Sequence, residues 1–153
     1  MDDGAAAEVL STAGIRVCLH AADKWDAIGQ CGAALVELGA VEPGYVDLMH
    51  ERERTVTTYV GEGVAIPHGT DASRALVRRT TLCVLQFPDG VDWGGHTVVL
   101  CVAIAAGGDE HVAVLSGLAR LLLDPDKAGR LRSSTSVDEI HEMLAPIGED
   151  ISA

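Results

Sequence analysis

The chain has 153 residues, 48% of them hydrophobic, which is enough for one domain with a real core and too little for two ordinary ones. With 23 acidic against 11 basic residues its formal charge is −12, which repels nucleic-acid backbones and anionic lipid, and 3% aromatics cannot build a base-stacking platform. The acidic start MDDGAAAEVL lacks the positive charge of a secretory signal, and the longest apolar run, Val98 to Ala106, is too short for a bilayer. A cytoplasmic protein without direct membrane insertion is expected, residues 1–153 forming a single domain.

Residues 1–10 are expected to fray, and Ile15–Leu19 reads as a short strand. Asp23 is placed to cap a helix whose apolar positions Trp25, Ile28, Leu35 and Leu38 fit helical spacing, with Gly39 as its stop. Pro43 opens a second helix, PGYVDLMHERER, burying Val46 and Met49 while Glu51 to Arg54 reach outward. After TVTTYV and the interruption Gly61-Glu62-Gly63, Val64-Ala65-Ile66 forms a short strand that stops at Pro67. Thr80–Phe87 and Thr97–Ala106 are further strands joined by the turn PDGVDWGG, and the unbroken apolarity of the second makes it central in the sheet.

Asp109 is a cap for a helix carrying Val112, Leu115, Ala119 and Leu122, and Asp124-Pro125 starts another. Ser136-x-x-Glu139 is a capping box for the last helix, which is predicted to end at Pro146 and leave 147–153 as a frayed tail. The alternation of elements predicts an α/β fold, a single mixed and mostly parallel β-sheet flanked by helices on both faces. Cys18, Cys31, Cys83 and Cys101 form no C-x-x-C pair and lie in apolar stretches, so they read as reduced core residues.

Two histidines share a context. His68 directly follows a strand, and His111 follows the central strand in the first turn of a helix; in α/β sheets, ligands sit at such strand ends and helix starts. If the two strands are neighbours pointing the same way, the imidazoles meet. The N–H groups opening the second helix would favour an anion there, with phosphate the natural candidate.

The segments MHERERTVTTYVGEGVAIPHGT, QFPDGVDWG and VAIAAGGDEH resemble, in that order, the enzyme IIA domain of the mannitol/fructose class of the bacterial sugar phosphotransferase system. The resemblance runs from about residue 10 to 146, and TYVGEGVAIPHGT with QFPDGVDWG favours the mannitol-type subgroup. It implies a mixed sheet with helices packed around it, and a phosphocarrier in which His68 accepts phosphoryl from phospho-HPr and passes it to a cysteine of a IIB domain or IIBC transporter. It also implies that His111 and Arg52, the arginine of the E-R-E segment, flank that phosphohistidine.

The chemistry is consistent with these residue types. An unprotonated imidazole nitrogen is nucleophilic near neutral pH, and a loose in-line transfer asks chiefly for position and positive charge. Arg52 offers a forked permanent cation, His111 a switchable donor, and Gly69 an approach for backbone amides to the phosphate oxygens. No metal or cofactor is required, and neither an H-x-x-x-H nor a Cys pair suggests zinc. An apolar rim around His68, with Val64 and Ile66 in it, would receive the basic face of HPr.

Taken singly, these residues have blander explanations. His111 alone is more often a helix-start residue bonded to a loop carbonyl, and Arg52 alone one end of a surface pair with Glu51 or Glu53. Glu51 and Glu53 read as solvated surface and Glu62 as an edge residue, while His20, His50, His96 and His141 share no spacing. Two other functions use the same pattern: a regulatory IIA of the nitrogen-related type that controls target proteins through its phosphorylation, and a relative that keeps the fold without turnover. His68, His111 and Arg52 occurring together argue against the latter. Without an attached IIB, IIC or HPr-like segment, the partners are expected to meet the chain in trans.

Overall fold

The computed structural model describes residues 9–152, with side chains through Glu149. Fraying of residues 1–8 therefore lies outside the described residues, whereas Val9 and Leu10 are buried. Strand β1 (Ile15–Arg16) is shorter than the predicted Ile15–Leu19 because Cys18 turns to a left-handed φ of 59°. Cys18 is also exposed, unlike the other three cysteines, which are core residues as expected.

Helix α1 (Lys24–Glu37) starts where predicted, the Asp23 carboxylate accepting the Asp26 N–H at 2.9 Å. Helix α2 (Tyr45–Thr55) follows the Pro43 signal. Short strands β2 (Tyr59–Gly61) and β3 (Val64–Ala65) flank Glu62, and two long strands come next, β4 (Thr81–Trp93) and β5 (His96–Ala105). Helices α3 (Glu110–Leu122), α4 (Pro125–Ser133) and α5 (Val137–Ser152) complete the described chain.

The five strands form one sheet in the order β1-β4-β5-β3-β2, with β5 at its centre as its apolarity predicted. The sheet is mixed: β1 runs parallel to β4 and β3 to β5, while β4–β5 and β2–β3 are antiparallel. Parallel pairing does not dominate, since two of the four pairings are antiparallel, and the β4–β5 hairpin is lengthened because PDGVDW is strand rather than loop. The chain passes a register shift between Gln86 and Val91, where Gly90 has φ 83°, and turns only at Gly94-Gly95, both at positive φ.

Alternation along β4 supplies both faces. Cys83, Leu85 and Phe87 pack with Ile28, Leu35 and Met49 of α1 and α2, while Leu82 and Val84 pack with Val114, Leu118, Leu131 and Leu144 of α3 to α5. The apolar stripe of α1 is rotated from the expected one, since Trp25 is 37% exposed and Ala27, Cys31 and Ala34 are buried. Helix α3 departs further: Val114, Gly117 and Leu118 face the core, whereas Val112 and Leu115 are exposed. Helix α5 does not end at Pro146 but continues to Ser152, and residues 147–148 are packed rather than frayed. Ile147 is buried so tightly against Gly117 that a Cβ on Gly117 would come within 2.8 Å of Ile147 Cγ1, a contact that favours continuing the helix past the proline. The capping box is rerouted: Ser136 Oγ accepts the Glu139 N–H at 3.1 Å, but the Glu139 carboxylate accepts from Ser134 Oγ at 2.6 Å.

Candidate phosphoryl-transfer site

Beyond β3 the chain stays beside β5. The Ile104 N–H donates to the Pro67 carbonyl at 2.9 Å, and His68 bridges Ile104 in parallel register. Because β3 and β5 run the same way, His68 leaves the sheet at the same end as the loop that opens α3. The imidazoles of His68 and His111 consequently stack, ring centroids 5.1 Å apart and planes 15° from parallel.

His68 Nδ1 lies 2.8 Å from the Ile66 carbonyl oxygen. A carbonyl can only accept, so Nδ1 carries a proton, and in the neutral ring the lone pair is on Nε2. Burial first, and then the positive fields of Arg52 and His111, hold this ring below its ordinary value of 6.5, against the opposing Ile66 hydrogen bond and the charge of Glu53. The ring is thus held neutral, with Nε2 ready to act as a nucleophile.

The cleft at this sheet end, about 350 Å³, is lined by His68, His111 and Arg52, and also by Tyr45, Thr70 and Arg74. The sequence-predicted trio is therefore brought together. Arg52 reaches it from the last turn of α2, its Nη1 donating to the Val56 carbonyl at 2.6 Å. Glu53, by contrast, is not solvated surface: it is 4% exposed. Its Oε1 accepts the Thr58 N–H at 2.9 Å and hydroxyl at 2.6 Å, while its Oε2 accepts Trp93 Nε1–H at 3.0 Å and faces Lys24 Nζ at 3.4 Å. Burial alone would raise this carboxyl, but the hydrogen bonds from Thr58 and Thr57 and the charge of Lys24 outweigh it and hold it below its usual range.

Gly69 serves a different end from the one expected. Its N–H donates to the Tyr45 hydroxyl at 3.0 Å, and that hydroxyl donates to the Ile104 carbonyl at 2.9 Å. A Cβ at Gly69 would stand 2.9 Å from Tyr45 Cε1 and 2.9 Å from Ser73 Cβ, so the residue is small to let the His68 loop close on α2. Tyr45 was missed from sequence, although it lies seven positions before Arg52 and thus on the same helix face.

Thr70 and Arg74 were missed as well. The Thr70 hydroxyl is buried and unpartnered in the cleft wall, and Arg74 pairs with Asp109. Val64 and Ile66 are core residues, 0% and 4% exposed, and form no rim; Val112 and Leu115, one and four positions after His111, and Val56, four after Arg52, are exposed apolar side chains that do not line the cleft. Glu62 is exposed at the β2–β3 turn near Arg132, outside the cleft. His50, His96 and His141 are engaged with other groups and do not line it.

Residues 8–146 match the family described as "Phosphoenolpyruvate-dependent sugar phosphotransferase system, EIIA 2". The chain belongs to that family. It is 41% identical to a mannitol-specific phosphotransferase enzyme IIA component of Halalkalibacterium halodurans, over 92% of this chain and 97% of that one. It is 44% identical to a multiphosphoryl transfer protein of Escherichia coli O157:H7, over 81% of this chain but only 33% of that protein, so it spans about a third of that relative. Its fold superposes on the complex of enzyme IIAMTL and phosphorylated enzyme IIBMTL from Escherichia coli with a TM-score of 0.83 and 38% identity, over 89% of this chain and 96% of the other. Among the described residues of this IIA domain, no helix is long and apolar enough to cross a membrane.

Proposed function

We propose that this IIA domain is a cytoplasmic phosphocarrier for mannitol or a related sugar, taking phosphoryl from phospho-HPr on Nε2 of His68 and passing it to a cysteine of a IIB domain. The observation that carries this is the Nδ1–H bond of His68 to Ile66, which leaves Nε2 as the unprotonated nitrogen in a ring stacked on His111. In the first step the N–P bond of the donor histidine breaks as a bond forms to Nε2, while the proton stays on Nδ1, donated to the Ile66 carbonyl. In the second, a IIB thiolate takes the phosphoryl group and Nε2 recovers its lone pair. Such a transfer passes through a loose, in-line transition state, so the work of the protein is position and charge. Arg52 and His111 are the donors suited to the charge of roughly −1.5 to −2 that phosphorylation brings.

The sugar and the IIB partner are inferred from likeness to the mannitol-specific relative and to the IIAMTL–IIBMTL complex. Val112 and Leu115, exposed on the helix that carries His111, are the uncharged surface we assign to contact with these partners. Incubation with phosphoenolpyruvate, enzyme I and HPr, followed by mass spectrometry under alkaline conditions, is expected to place one acid-labile phosphate on His68. Adding the IIB domain of a mannitol transporter should then discharge it. A His68→Ala protein that still took up phosphate would overturn the assignment.

A further inference from the structure

Arg74 lies in the 3-10 segment Asp71–Leu76, immediately after the His68 loop, and Asp109 lies two residues before His111. Arg74 Nη2 donates to Asp109 Oδ1 at 2.7 Å, joining the two loops that present the stacked histidines, and stands 3.5 Å from Asp71 Oδ1. Arg74 lines the cleft. Asp109 occupies the N-cap position of α3 yet makes no side-chain capping bond there. Its carboxylate is committed to Arg74 instead of to the helix, forgoing a cap ordinarily worth about 1 kcal/mol.

An ion pair this exposed, with side chains 36% and 80% accessible, contributes little to holding a fold together. Arg74 brings its charge into the cleft that His68 and His111 line, and Asp109, next to the cleft-lining Gly108, sets the opposite charge on it. A phosphocarrier has to accept its group from one partner and surrender it to the next, so the phosphohistidine must be neither too stable nor too reactive. A carboxylate near the dianionic phosphoryl group destabilises it, and a guanidinium in the same place stabilises it.

We propose that Asp109 and Arg74 together set the phosphoryl-transfer potential of His68, Asp109 making phospho-His68 a stronger donor and Arg74 making it a weaker one. This rests on the phosphocarrier function proposed above. No new bond is involved: the pair tunes the equilibrium of the transfer in which the N–P bond moves from the HPr histidine to Nε2 of His68.

The test is the equilibrium partition of phosphoryl between HPr and the chain at low salt, for wild type, Asp109→Asn, Arg74→Gln and the double variant. Partition between the free proteins reports the stability of each phosphohistidine and is unmoved by changes in docking rate. Asp109→Asn is expected to shift the partition toward the phosphorylated chain by roughly threefold to tenfold, and Arg74→Gln to shift it away by a similar factor. The double variant should return to near the wild-type value, and the single shifts should shrink in high salt as charges are screened. Loss of a merely structural link would move both single variants the same way. Shifts of one sign in both, or no shift in either while wild type is phosphorylated on His68, overturn the proposal. A wild-type chain that takes no phosphoryl group on His68 overturns the phosphocarrier function itself.

Discussion

Glu53 offers the strongest test of how the site is held. It sits one residue after Arg52 in the last turn of α2, and its carboxylate gathers the Thr58 N–H and hydroxyl and the Trp93 indole N–H in a buried setting. Glu53→Ala leaves those donors buried without an acceptor, at about 1–3 kcal/mol for each unsatisfied group, so a loss of roughly 3–5 kcal/mol is expected once partial relaxation is allowed. For a domain of this size that is a fall in Tm of roughly 6–20 °C. The pH dependence gives a second handle. Because the folded-state pKa lies below the ordinary 4.5, the stability gained from the ionised carboxylate is fully present above that value and is lost as pH falls through the folded pKa. Urea unfolding of wild type and Glu53→Gln from pH 7 down to pH 3 should therefore show a stability gap that is constant above about pH 5 and narrows below it. A Glu53→Ala protein melting within about 1 °C of wild type, or a gap that widens toward acid, would refute the role given to the buried carboxylate.

In an NMR titration the His68 ring should protonate with a midpoint below 6.5, its Nδ1 proton persisting throughout; a midpoint above 6.5 would contradict the effect of burial, Arg52 and His111. Arg52→Ala should slow phosphotransfer at least about tenfold while shifting stability by roughly 1 kcal/mol or less, since one exposed bond to Val56 is lost; normal transfer at normal stability would count against its role. Gly69→Ala should cost roughly 1–3 kcal/mol and slow transfer, because its methyl group must displace Tyr45 or Ser73, and unchanged melting would show that the loop gives way freely. Leu115→Asp should raise the KM for phospho-HPr with Tm unchanged, its side chain being 42% exposed; an unaltered KM would remove α3 from the docking surface.

Much of the scaffold was legible because its signals are local. Asp23 and Asp124 cap the helices they precede, and the unbroken apolarity of 97–106 does mark the central strand. The meeting of His68 and His111 was legible for the same reason: a strand end and a helix start locate both residues once β3 and β5 are known to run parallel. What escaped depends on partners distant in sequence. HERER reads as a solvated face until Trp93, forty positions beyond Glu53, brings an indole N–H to it. Asp109 looks like an ordinary N-cap until Arg74, thirty-five positions earlier, claims its carboxylate. Pro146 looks like a stop until Ile147 finds the space left by Gly117.

The misassigned face of α3 follows from the same limit and bears on function. The helix carries apolar residues on two faces, and helical spacing alone cannot choose between Val112-Leu115-Ala119 and Val114-Leu118-Leu121. The sheet chooses: Val114 and Leu118 pack on β4 and β5, which leaves Val112 and Leu115 exposed one and four positions beyond His111. In a chain of charge −12, uncharged surface on the helix that carries His111 opposes the approach of another phosphorylated protein less than acidic surface would. The stripe that does not serve the core thus stays exposed on the helix that carries His111. Arg52, fixed at the end of α2, and Arg74, held on Asp109, supply positive charge within the cleft itself.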